Sequence, residues 1–140
     1  MKIISCVDFM ATSFGSTEEE YAEIESEMRD VFPDVELEFE REDVPGEIAK
    51  HKYDLCVFDW GGLLPGAEDL TRSIYRSMLS QVRKFENDRL FIMWSAFTED
   101  YFKEAAEEEF PEFIAPNVIF RQDTHLIERA RKFFGLGELP

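Results

Sequence analysis

The chain has 140 residues, of which 44% are hydrophobic and 14% aromatic, and a net charge of −16. That hydrophobic content excludes disorder, and the length suits one domain, residues 1–140, with a real core. The excess of acid argues against direct binding to nucleic-acid phosphates or to an anionic membrane. No apolar run approaches the ~20 residues of a membrane span. The opening Met1-Lys2-Ile3-Ile4-Ser5-Cys6-Val7-Asp8 is too short and too soon acidic for a signal peptide. A cytoplasmic protein is expected. Cys6 and Cys56 fall in predicted strands, as small buried hydrophobes of a reducing compartment. His51 and His125 add no zinc spacing.

In chain order, Lys2 to Val7 is apolar and β-rich, and reads as the first strand. Phe9 to Ser16 reads as a loop. Ser16-x-x-Glu19 and Thr17-x-x-Glu20 are capping-box patterns. Tyr21, Ile24, Met28 and Val31 then recur at helical spacing, and Pro33 ends that helix. Val35, Leu37 and Phe39 alternate with Glu36, Glu38 and Glu40, the pattern of a half-exposed strand at a sheet edge. Pro45-Gly46 opens a short helix to His51. Leu55 to Phe58 is an apolar run that stops at Asp59 and a Gly/Pro loop, which reads as a buried strand. Leu70, Ile74, Met78, Val82 and Phe85 mark a long helix, and Arg89 to Trp94 a fourth strand, apolar from Leu90 on. A helix with Tyr101, Phe102, Ala105 and Ala106 precedes a short fifth strand, Val118 to Phe120. Asp123 is the expected cap of a last helix through Leu126, Ile127, Ala130, Phe133 and Phe134, closed by Gly135.

Strict β-α alternation implies a parallel sheet with helices on both faces. The expected fold is α/β: a three-layer αβα sandwich around a five-stranded parallel sheet of order 2-1-3-4-5. In that order, Asp8, Asp59 and Ser95 follow neighbouring strands and share the crevice at their carboxyl ends, where open α/β sheets bind ligands. Structural roles are open to each of them: Asp59 could accept N–H bonds from Gly61 and Gly62, Asp8 could pair with an arginine, and Ser95 could cap the next helix.

The segment Tyr53-Asp54-Leu55 through Asp59, the later Pro65-Gly66, Ser95-Ala96 and the (βα)5 order resemble a response-regulator receiver domain. The resemblance implies a phosphoacceptor at Asp59, Mg²⁺ ligands at Asp8 and Asp59, and phosphoryl sensing at Ser95. It departs from the pattern in three places. Asp8 is flanked by Val7 and Phe9 and has no second acid beside it. Phe120-Arg121-Gln122 stands where receivers carry a lysine, so Arg121 is the substitute cation. Pro65 lies farther from Asp59 than the pattern has it. A site short of a ligand and its lysine should hold Mg²⁺ weakly. The expectation is a degenerate receiver-like regulatory protein, not an enzyme, that signals through contact with a protein partner, with at most weak phosphorylation at Asp59.

Two rival families match parts of the same loops. Thr12-Ser13-Phe14-Gly15-Ser16-Thr17 resembles the phosphate loop of flavodoxins, which would assign Thr12, Ser13, Gly15, Ser16 and Thr17 to FMN phosphate and Trp60 and Tyr101 to its ring. Phe58 to Leu64 resembles the first motif of haloacid-dehalogenase-type phosphatases, but Gly61 stands where that motif has its general acid.

Charge suggests a third reading. Fourteen acids and two bases, Arg29 and Arg41, lie between Glu18 and Glu47. An acidic inhibitor or DNA mimic with a basic partner would look like this. The last helix carries Arg129, Arg131 and Lys132, so opposite faces of opposite charge could meet a partner or a second copy.

Overall fold

A computed structural model describes residues 3–10, 18–42, 52–59, 76–77, 79–94 and 115–140; for Phe9, Met10, Glu20, Glu42 and Asp59 it describes the backbone alone. The elements are β1 (Ile3–Met10), α1 (Glu18–Val31), β2 (Glu36–Glu42), β3 (Leu55–Asp59), β4 (Leu90–Trp94), β5 (Val118–Phe120) and α2 (Leu126–Phe133). Residues 76–77 and 79–84 are also helical. The strands form one five-stranded sheet of order β2-β1-β3-β4-β5, parallel at every step. This is the α/β architecture and strand order that the β-α alternation implied. The short helix expected after Pro45 and the helix around Tyr101 lie outside the described residues.

Alternation along each strand divides the core. Ile4, Cys6, Leu55, Val57, Leu90, Ile92, Trp94 and Ile119 turn to one face, where Tyr21, Ile24, Met28 and Val31 of α1 and Ala130 of α2 cover them. The helical spacing of the α1 residues is thus the seam that meets the sheet. Leu79 and Val82 are buried as well. The buried Asn117 joins that helical segment to the sheet: its Nδ2 donates to the carbonyls of Val82 and Arg89, both at 3.1 Å, and its backbone carbonyl accepts from the Phe91 N–H at 2.8 Å.

Three expectations change. β1 runs on to Met10, because parallel pairing with β3 continues through Phe9↔Phe58 and Met10↔Asp59. Asp8 therefore lies inside the strand, not at its end. Asp123 does not cap α2: its Oδ1 accepts the N–H of His125 at 2.7 Å, an Asx turn ahead of the helix, and its Oδ2 pairs with Arg129. Arg131 is not part of a surface patch. It is 2% exposed. Its guanidinium meets both carboxylate oxygens of Asp34 (2.7 and 2.9 Å), the Val31 carbonyl (3.0 Å) and the Gly137 carbonyl (2.7 Å). It thereby ties α2 to the end of α1 and to the chain after Gly135. That glycine, at φ +69°, closes α2 as expected, with Leu136 N–H bonding back to the Arg131 carbonyl at 2.9 Å.

Candidate functional site

Asp8 is fully buried, and neither carboxylate oxygen has a hydrogen-bond partner. It stands beside Val57 of β3 and Arg41 of β2 in the sheet register, on the face that α1 covers. Burial pushes its carboxyl from the ordinary 3.8 up to about 7; Glu25 of α1 adds to the rise and Arg41 opposes it. The reason is local. A carboxylate inside a sheet, with Cys6 before it on the same face, has neither water nor backbone donors to turn to. The buried thiols of Cys6 and Cys56 are pushed up as well, first by burial and then by Asp8.

Arg41 does not neutralise Asp8 by direct contact. Its Nη1 lies 2.6 Å from Glu18 Oε2, its Nη2 lies 3.6 Å from Glu25 Oε1, and its guanidinium sits 4.5 Å from the centre of the Tyr21 ring. The cation opposite Asp8 in the register is thus drawn outward onto α1. Arg121 is engaged in the same way. It follows β5, and its Nη2 lies 3.0 Å from Glu23 Oε1 and 2.8 Å from Glu27 Oε1, two acids one turn apart on α1. Its guanidinium stacks 3.7 Å from the centre of the Trp94 ring. The cation expected to sense a phosphoryl group is held between an aromatic face and two carboxylates.

Asp59 lies level with Trp94 on one side and Met10 on the other. Asp8 therefore sits two register steps below Asp59, not abreast of it. Ser95 lies outside the described residues, as do Thr12, Ser13, Gly15, Ser16, Thr17, Trp60 and Tyr101. Among the described residues, no three His, Cys, Asp or Glu side chains gather as a metal would need. Mg²⁺ keeps several waters and takes one or two carboxylates. Asp8 is one such donor, with both oxygens uncommitted, but it is closed off from solvent. No helix among the described residues is long and apolar enough to cross a membrane.

The Trp94–Arg121 stack and the two arginine–glutamate clusters escaped the sequence. The stack had a signal: β4 and β5 are neighbours, Met93 pairs with Phe120, and the next residue on each strand is Trp94 or Arg121.

No protein-family model and no curated protein matches this sequence. Among solved structures, the chain is similar to a cobalamin-binding protein from Desulfitobacterium hafniense DCB-2, with a TM-score of 0.50 and 9% identity. The likeness covers 94% of this chain and 58% of that one, so this chain spans a little over half the length of its neighbour. At that identity the likeness is one of fold.

Proposed function

We propose that this is a small regulatory protein of degenerate receiver-like build, acting by contact with a protein partner and without an efficient phosphorylation cycle. The observation that carries the reading is the engagement of Arg121 by Glu23, Glu27 and Trp94. A phosphoryl group brings roughly −1.5 to −2 charges. A carboxylate accepts it readily only where a cation offsets the charge that gathers. Here the cation after β5 already faces two carboxylates, and the acid on β1 is buried with no hydrogen-bond partner for either oxygen. The same charges oppose the flavin reading, in which a phosphate would enter this end of the sheet.

The test is incubation with acetyl phosphate and Mg²⁺, followed by intact mass. The reading expects no substantial adduct. A stable adduct that disappears in Asp59→Asn would sink it and restore a phosphorylation cycle. An absorption spectrum of the purified protein covers the cofactor alternatives, because flavin absorbs in the visible, as does the corrin of the ligand that the structural neighbour binds.

A further inference from the structure

We infer that the outer edge of β2 is a docking strand for an extended, basic segment of a partner protein, which adds to the sheet as a sixth strand. The inference rests on the contact reading and gives that contact a place and a chemistry. β2 is seven residues long and ends the sheet; among the described residues it pairs with β1 alone. A strand in that position presents a row of backbone donors and acceptors to any chain that lies alongside. Main-chain pairing of that kind supplies affinity, and alternate side chains supply the choice of partner.

The alternate side chains of β2 are unusual in their uniformity. Glu36, Glu38 and Glu40 stand beside Ile3, Ser5 and Val7 of β1, on the face away from α1, and all three are exposed. Among the described residues, neither Glu36 nor Glu38 forms an ion pair. The strand's cation, Arg41, turns to the other face, where Glu18, Glu25 and the Tyr21 ring hold it. Ile3, level with Glu36, is 50% exposed and adds apolar surface at the start of the row.

This arrangement selects among occupants. A second copy pairing antiparallel along β2 would set glutamate against glutamate on one face, and like charges directly opposite are destabilising. An acidic or neutral segment gains nothing from the row. A strand with lysine or arginine at every second position places each cation opposite a carboxylate while its backbone completes the ladder.

The test is calorimetric titration of the intact protein with a short peptide of alternating lysine and valine, against the same peptide with its central valine replaced by proline. The alternating peptide should bind, bind more weakly as salt rises, and lose about tenfold in affinity to Glu36→Lys/Glu38→Lys. The proline peptide should bind at least tenfold more weakly, because proline cannot donate to the ladder. Circular dichroism of the variant checks its fold, which these exposed positions leave intact. No binding, equal binding of the two peptides, or indifference to the double reversal each overturns the docking strand. Those outcomes leave the contact reading to other surfaces, whereas a stable Asp59 adduct fails that reading and leaves the edge untouched.

Discussion

Asp8 on β1 and Arg131 on α2 are two buried ionisable side chains, and they are treated in opposite ways. Arg131 directs its donors at the Asp34 carboxylate and at the carbonyls of Val31 and Gly137. Asp8 has two oxygens and no partner for either. A buried charge with every donor satisfied belongs to the architecture, since removing one partner leaves the rest exposed to desolvation. A buried acid with none satisfied weakens the fold unless it is protonated or bound, which marks its position as the candidate site. The comparison separates the end of the molecule that holds α1, α2 and the tail together from the end that leaves chemistry open.

The comparison can be broken first at Arg131. Arg131→Met keeps much of the packing and removes the partner of the Asp34 carboxylate and of the Val31 and Gly137 carbonyls. It should give the largest loss of urea resistance among the variants proposed, seen as a fall in midpoint with an unchanged slope. Arg129→Glu, on the same helix but exposed, should change it little. Similar losses for both would mean that Arg131 is not the tie.

Next comes the acid. The folded pKa of Asp8 is raised from 3.8 to about 7, so the folded state holds the proton more tightly than the unfolded chain. Below about pH 4 both states are protonated and the group costs nothing. As pH rises from about 4 to about 7, the folded state must either keep the proton or ionise in the core, and stability falls by an amount on the order of a few kcal/mol. Asp8→Asn should flatten this dependence and raise the urea midpoint at pH 8. A dependence that survives the substitution assigns it to other groups.

The smallest effect belongs to the Arg121 cluster. Arg121→Gln removes a part-exposed cation from Trp94, Glu23 and Glu27, and should lower stability by about 1 kcal/mol or less. It should also shift tryptophan emission, because the charge over the Trp94 ring is lost. A loss several times larger would make Arg121 a structural tie like Arg131.

How much of this the sequence showed depends on the range of the interaction. The edge position of β2 was legible from the alternation of Leu37 and Phe39 with glutamates, because an edge strand records its two environments residue by residue. β5 was legible from three apolar residues, and the seam of α1 from its helical spacing. Asp8 was misplaced because an acid closing an apolar run looks like the end of a strand. Only the pairing of Phe9 and Met10 with β3 shows that the strand continues. Arg131 was read as surface because its partner Asp34 lies 97 residues away in sequence, beyond any local pattern. Arg121 was correctly located after β5, but the two glutamates that engage it were visible only once α1 lay across the sheet.

The most direct test of the central claim, that the buried β1 acid has no hydrogen-bond partner and only the distant charge of Arg41 to offset it, is a carbon-detected NMR titration of the Asp8 carboxyl. The account predicts a midpoint near 7, unmoved by millimolar Mg²⁺. A midpoint near the ordinary aspartate value would mean that a cation or donor already serves Asp8, and would contradict the account.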